Sequence, residues 1–185
     1  MTATSLRDTL VNVGVTIVDV DGPAELTLRE IARRSGVSHG APRRYFPTHN
    51  SLLAAIATRG LSDLAGRLTP ALHTEQSVRD RIISAATEYV TFARERPAMF
   101  ELMFRHDLLD GAGENLRQTS LPLFTALRAV VDDDEMTALA VWTGVHGIAV
   151  LVANRSLDAV APHADVTALI DAVVTAHLSW KIGSA

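Results

Sequence analysis

The chain has 185 residues and a mass of 19.9 kDa, with 48% apolar and 21% charged residues. This composition is that of an ordinary globular domain and excludes the disordered and collagen-like classes. Because the sequence contains no cysteine, disulfides, thiolate metal sites and cysteine nucleophiles are excluded as well. The net charge of −4 gives no reason to expect a nucleic-acid partner, but it is uneven: residues 1–72 carry +2 and residues 73–185 carry −6.

Apolar residues recur at helical spacing almost throughout, so the sequence predicts an all-α fold. A first helix runs from Leu6 to Val20 and ends at Asp21-Gly22-Pro23. Thr27 and Glu30 have the spacing of a capping box, which begins a short second helix that ends near Ser35-Gly36. Ser38 is expected to cap a third short helix with Arg43, Arg44, Tyr45 and Phe46, and Pro47-Thr48 to begin a fourth.

The remaining helices are separated by turn signals. A break at 68–76, which contains Pro70, is the candidate module boundary, and Ser77 caps the next helix. We expect a short apolar helix at 98–105, a loop at 106–113, and helices at about 114–131, 134–153 and 166–181. Asp132, Asp133 and Asp134 supply anionic caps for the penultimate helix. The predicted domains are 1–50, a connecting helix at 51–72, and 73–185.

The segment Met136–Asn154 has no formal charge over 19 residues and therefore resembles a membrane span. Its threonine, glycine, histidine and asparagine residues make it too polar for one, and a buried helix is the preferred interpretation. The N-terminus lacks a basic segment followed by an apolar core, so we expect no signal peptide, no membrane partner and a cytoplasmic location.

Thr27–Asn50 is the informative stretch, because it carries a local net charge of +4. Two short helices joined by Ser35-Gly36-Val37 predict a helix-turn-helix, whose second helix can lie in the DNA major groove. Ala32 permits close helix approach, and Gly36 permits a positive φ. Ser38, His39, Gly40 and Ala41 form the first turn of that second helix. Arg43 and Arg44 follow, and their guanidinium groups are suited to binding guanine or phosphate. The alternative interpretation of this stretch is a helical hairpin with surface arginines.

The residues from Leu28 to Gly40, followed by Tyr45-Phe46 and Leu52-Leu53, resemble the DNA-binding signature of the tetracycline-repressor (TetR) family. The stretches 96–104 and 142–147 resemble its "WHG" type of C-terminal regulatory domain. The resemblance implies a homodimer with an N-terminal three-helix DNA-binding domain and a C-terminal helical ligand-binding and dimerisation domain. It implies phosphate contacts from Thr27 and Tyr45, base-edge contacts from His39, Gly40 and Ala41, and a backbone contact from His49.

This sequence departs from that family pattern at two positions. Pro42 replaces a larger aliphatic residue and disfavours helical geometry at Ala41. Arg43 replaces an aromatic residue, and we assign it to base readout, with Arg44 assigned to phosphate.

In the C-terminal half, an aromatic and methionine stripe is the candidate ligand site. Phe100, Met103 and Phe104 share a helical face, and Phe124 and Trp142 are expected to converge on them, with His146 as the polar group. The alternative is that these side chains only form the core or dimer interface. The last two helices have more apolar surface than a monomer needs, which predicts a homodimer through them.

The sequence therefore predicts a ligand-responsive transcriptional regulator, most simply a repressor that binds a palindromic operator and is released by a small apolar or amphipathic molecule. The alternative is an all-α small-molecule-binding protein that no longer reads DNA specifically. No metal-ligand spacing, phosphate loop, nucleophile elbow or carboxylate pair is present, so we expect no enzyme, no metal and no cofactor.

Overall fold

The computed structural model describes residues 5–105, 111 and 116–179, and within them it contains helices and turns but no strand. The predicted all-α fold is therefore confirmed for the described residues. The helices are α1 (Leu6–Val20), α2 (Leu28–Arg34), α3 (His49–Leu72), α4 (Val78–Glu95), α5 (Pro97–Met103), α6 (Leu116–Val130), α7 (Glu135–Ala153), α8 (Ser156–Val160) and α9 (Val166–Ser179).

The chain forms two compact units. The described residues of the first unit lie in 5–62 and 98–116, and those of the second lie in 63–97 and 117–179. Helix α3 contributes its first part to one unit and its last part to the other.

The core of the first unit is aliphatic. Leu10 and Ile17 of α1, Ile31 of α2 and Ile56 of α3 are fully buried. Burial of each such side chain stabilises the fold by about 1.5–3 kcal/mol. Gly14 makes the crossing of α1 and α3 possible, since a Cβ atom there would lie 2.5 Å from Ile56 Cδ1.

Helix ends follow the predicted capping chemistry. Thr27 Oγ1 accepts from the Glu30 backbone N–H at 3.0 Å, and Ser77 Oγ accepts from the Asp80 N–H at 3.2 Å. Gly36 adopts φ +66° after α2, and the Val37 N–H donates to the Ala32 carbonyl at 3.0 Å. This pairing is a Schellman motif, which needs a residue in the left-handed region. The predicted turn between the two helices of the motif is therefore present.

The second helix of the motif is shorter than predicted. Instead of a helix from Ser38 through Phe46, the chain forms turns at 39–41 and a 3₁₀ turn over Pro42–Arg44. Pro42 has no N–H to continue an α-helical ladder, and Gly40 is a poor helix former. The Tyr45 and Phe46 N–H groups both donate to the Pro42 carbonyl, at 3.0 and 2.8 Å, which closes the segment.

Two other expectations differ in detail from the structure, and one helix was not predicted. Helix α3 ends at Leu72, as predicted for the connecting helix, but it continues through Pro70, so the expected break at 68–76 does not begin before Leu72. Of the three aspartates, only Asp134 caps α7, since Asp132 and Asp133 adopt positive φ in the preceding turn. Helix α8 was not predicted. The expected loop at 106–113 lies outside the described residues apart from Gly111.

In the second unit α7 packs against both α4 and α9. Gly144 permits this approach, because a Cβ atom there would lie 2.6 Å from Val173 Cγ1. Arg79 joins α4 to α9 through Asp171 and through Thr175 Oγ1, the latter at 3.2 Å.

Among the described helices α7 is long and apolar enough to cross a membrane, and one-third of it is buried inside the chain. Its packing between two helices favours the predicted core helix.

Candidate nucleic-acid interface and aromatic cluster

The predicted DNA-contacting residues of the first unit are placed on its surface. Ala41 is half-buried. The others are exposed: Thr27, Ser38, His39, Gly40, Arg43, Arg44, Tyr45 and His49. They follow one another along the N-terminus of α2, the turn segment and the N-terminus of α3. The predicted assignment of individual residues to bases or phosphates stays a prediction.

Two buried side chains hold this exposed segment in place. Pro42 and Phe46 face inward, and Phe46 is 1% exposed. The Arg7 guanidinium of α1 lies 5.5 Å from the Phe46 ring centroid, a cation–π distance. At the start of α3, Thr48 Oγ1 accepts from the Ser51 N–H while Ser51 Oγ accepts from the Thr48 N–H, at 3.0 and 3.2 Å. These reciprocal bonds fix the helix end where His49 stands.

The arginines of this unit fall into two groups. Arg33 and Arg34 both bond Glu30 at 2.6 Å, and Arg34 also lies 2.7 Å from Asp21. Hydrogen bonds from Arg33 and then Arg34 lower the pKa of the half-buried Glu30 to about 2. Within the described residues Arg43 and Arg44 form no ion pair, so their charge remains available to a polyanion.

We expect Glu30→Gln to remove a pH-dependent contribution to stability. The pKa of Glu30 is below its ordinary value of 4.5, so the stabilisation is complete above about pH 4.5 and is lost as the pH falls toward 2. Thermal melting of the unmodified chain and of Glu30→Gln between pH 6 and about pH 2.5 measures the difference in stability. The contributions of the other carboxylates cancel in this difference, because both proteins contain them. A difference that stays constant across this range would contradict the assignment.

Four rings form an aromatic cluster in the second unit, which we define as Tyr89, Phe124, Trp142 and His146. Tyr89 Oη lies 2.9 Å from His146 Nδ1. The Trp142 and His146 rings stack with centroids 5.6 Å apart, and the Phe124 ring meets Trp142 edge-on at 6.4 Å. The cluster therefore joins α4, α6 and α7, and the predicted neighbours Phe124, Trp142 and His146 lie together.

The cluster combines apolar surface with hydrogen-bonding groups that carry no charge. Burial lowers the pKa of His146 and raises the pKa of Tyr89, where a hydrogen bond with the Trp142 indole opposes the increase. Both groups are therefore neutral at neutral pH. Trp142 remains 37% exposed, so part of its side chain is accessible from solvent. Such an arrangement suits an apolar ligand with a hydrogen-bonding group.

The other predicted ligand residues, Phe100, Met103 and Phe104, lie in the first unit. Phe100 and Phe104 have centroids 5.1 Å apart, and Phe100 and Met103 are buried. A Cβ atom at Gly60 would lie 2.8 Å from Met103 Sδ, so this sulfur packs on the backbone of α3. These contacts favour the packing interpretation for Phe100 and Met103.

Sequence reasoning missed Tyr89, which is not among the predicted ligand residues. A polar-tipped aromatic residue on an inward face is the signal that was available, because a buried hydroxyl needs a partner. Among the described residues no group of three or more His, Asp or Glu side chains is placed to hold a metal ion.

A family model matches more than half of the chain. Residues 82–177 match the tetracyclin repressor-like C-terminal domain. Among curated proteins, the HTH-type transcriptional repressor Rv3405c of Mycobacterium tuberculosis is 32% identical over 65% of this chain and 57% of its own length. Nucleoid occlusion factor SlmA of Haemophilus influenzae is 28% identical over 48% of this chain and 40% of its own length.

The chain thus spans about half the length of these curated relatives. A solved structure of a protein of unknown function from Rhodococcus sp. RHA1 is similar over nearly the whole chain. It is 28% identical, covers 97% of this chain and 96% of its own, and has a TM-score of 0.81. With the exposed motif of the first unit, the helical second unit and the family match over 82–177, this chain belongs to the tetracyclin repressor-like family.

Proposed function

We propose that this protein is a cytoplasmic, ligand-responsive transcriptional repressor that binds a palindromic DNA operator as a homodimer. The observation that carries the proposal is the exposed Arg43-Arg44 pair on a turn held by buried Pro42 and Phe46. Guanidinium forks bind guanine edges and phosphates bidentately. A pair of such segments about 34–36 Å apart in a dimer matches one turn of DNA.

A binding assay on the DNA upstream of the protein's own gene tests operator recognition. Fluorescence polarisation should detect specific binding to a palindrome there, and a scrambled sequence should bind more weakly and with equal or stronger dependence on salt. The shortened second helix favours a second candidate, a small-molecule-binding protein that no longer reads DNA. Equal affinity for palindrome and scrambled DNA would select that candidate.

The proposed effector is a small apolar or amphipathic molecule bound at the aromatic cluster of the second unit. The neutral His146–Tyr89 pair supplies hydrogen bonding, and Trp142 and Phe124 supply apolar surface. Ligand and operator should weaken each other's binding by the same factor, because the coupling free energy between two sites is reciprocal.

A thermal-shift screen of apolar compounds, followed by operator release, tests the effector site. A compound at 100 times its Kd should stabilise the protein by about 2.7 kcal/mol and raise its melting temperature. Trp142 becomes the only tryptophan in a Trp180→Phe background, so its fluorescence should change on binding. His146→Ala should reduce the thermal shift. A hit whose thermal shift survives both His146→Ala and Trp142→Phe binds elsewhere.

The proposed dimer uses the faces of α7 and α9 that this chain leaves uncovered. On α7 the exposed side includes Met136, Thr143, Gly147, Val150 and Leu151, and on α9 it includes Ala168, Ala172 and Ala176. None of these residues is charged, so a second copy of the chain would bury them without burying an unpaired charge. A two-fold interface of this kind is self-complementary.

Gly147→Glu should convert the dimer to a monomer. A Cβ atom at Gly147 meets nothing within 4 Å, so the substitution does not disturb the chain's own packing. In the dimer the added carboxylate would be buried without a partner. Light scattering distinguishes one 19.9 kDa chain from two. Val160→Glu, on the exposed helix α8, is the control and should remain a dimer. A dimeric Gly147→Glu would exclude this face.

A further inference from the structure

The aromatic cluster has a charged neighbour on α6. Arg128 follows Phe124 by four residues, and side chains at this spacing share one face of a helix, with their Cβ atoms about 5–6 Å apart. Helical side chains lean toward the N-terminus of their helix, which carries the Arg128 side chain over the turn that holds Phe124. The Phe124 ring in turn meets Trp142 of α7 edge-on. A cation therefore stands one helical turn from the aromatic surface.

The guanidinium of Arg128 is incompletely paired. Its Nε atom is buried and has no hydrogen-bond partner within the described residues. Its Nη1 atom lies 3.9 Å from Oε2 of the exposed Glu135, which is too far for a hydrogen bond. An ion pair of this kind contributes little to stability, whereas a buried N–H without an acceptor carries the cost of its lost hydration.

The other half-buried arginines in the described part of the second unit differ from Arg128 in this respect. Because buried donors in proteins are nearly always hydrogen-bonded, an unpaired N–H beside a candidate ligand site indicates where an acceptor on the ligand would lie. Each of the other three already donates to an oxygen atom of the chain, at 2.7, 2.9 and 2.9 Å respectively: Arg67, Arg81 and Arg96.

We propose that Arg128 binds the anionic group of the effector, so that the effector is an amphipathic carboxylate and not a neutral or cationic molecule. This role rests on the proposed effector site at the aromatic cluster. A guanidinium donates through Nε–H and a neighbouring Nη–H to both oxygens of one carboxylate. The apolar body of the molecule lies against Phe124 and Trp142, where the neutral His146–Tyr89 pair neither repels nor balances its charge.

Matched acids and amides test the charge preference. The probes are the ω-phenylalkanoates from phenylacetate to phenyldecanoate and the primary amide of each, which differ in charge but hardly in shape. Binding is measured by thermal shift and by Trp142 fluorescence in the Trp180→Phe background. At neutral pH the best acid should bind about tenfold or more tightly than its amide, because hydrogen bonds to charged groups are the stronger ones. If no acid in the series binds more tightly than its amide, the proposal is overturned.

Substitutions at and near Arg128 locate the bound anion. Arg128→Gln should abolish the preference for the acid and leave the affinity for the amide unchanged, which also shows that the variant is folded. Arg128→Lys keeps the charge without the planar group and should retain part of the preference. Glu135→Gln removes the nearby carboxylate and should strengthen binding of the acid. Arg94→Ala, which removes an exposed arginine of α4, is the control and should change neither affinity.

The same variants distinguish the role of Arg128 from the proposed effector site. A preference for the acid that persists in Arg128→Gln overturns the role of Arg128. If amides bind as tightly as acids and lose their thermal shift in His146→Ala, the anion preference is overturned while the effector site is supported. If the thermal shift by the acid depends on Arg128 but survives both His146→Ala and Trp142→Phe, the anion site is supported and the aromatic cluster is excluded as the effector site.

Discussion

Replacing Arg43 and Arg44 together with alanine is expected to abolish specific operator binding and leave the fold unchanged. Both side chains are exposed and form no ion pair within the described residues, so their removal costs little internal stability. Loss of a bidentate base contact weakens binding by about 1–3 kcal/mol, and loss of a phosphate contact adds to it. At about 1.4 kcal/mol for each tenfold change, the expected decrease in affinity is one to several orders of magnitude.

The two single variants distinguish base recognition by Arg43 from phosphate binding by Arg44. Arg44→Ala should weaken binding similarly on all sequences and reduce the salt slope by about one, as expected for a phosphate contact. Arg43→Ala, like His39→Ala, should instead change the base preference. Polarisation titrations on an operator set at two or more salt concentrations measure both effects, with Arg94→Ala, an exposed arginine of the second unit, as control. If Arg43→Ala and Arg44→Ala have the same effect, the division of roles is wrong.

Phe46→Ala is expected to cause the largest loss of stability in the first unit. Its ring is 1% exposed, contacts the Arg7 guanidinium and anchors the turn that presents the arginines. Truncation of a buried phenylalanine costs about 3–5 kcal/mol, because apolar burial is lost and a cavity remains. Denaturant unfolding followed by circular dichroism measures this change.

Tyr45→Ala is the matched control for Phe46→Ala. Tyr45 is the neighbouring aromatic residue but is 42% exposed, so its truncation should change stability by only about 0.5 kcal/mol. If Tyr45 contacts phosphate, the same variant should still weaken DNA binding. Equal stability losses in the two variants would show that Phe46 does not anchor the turn.

Local sequence chemistry determined most of the helical architecture. The four- and three-residue spacing of apolar residues in α1, the Thr27 and Ser77 caps and the positive φ of Gly36 all act within about one helical turn. For that reason these features can be predicted from the sequence without knowledge of the tertiary structure. The +4 charge of Thr27–Asn50 was equally visible in the sequence, and Arg43 and Arg44 of this stretch are exposed in the structure.

Only the tertiary structure decided which side chains meet across long stretches of sequence. Tyr89 and His146 are 57 residues apart, and Arg67 and Glu95 are 28 apart, so no local pattern could pair them. Asp21 pairs with Arg34 because the turn after α1 returns the chain to α2. The sequence by itself thus determined where the capped helices α2 and α4 begin, since propensity and capping are local. The partners of the charged and aromatic side chains depend on how those helices pack, which only the folded chain sets.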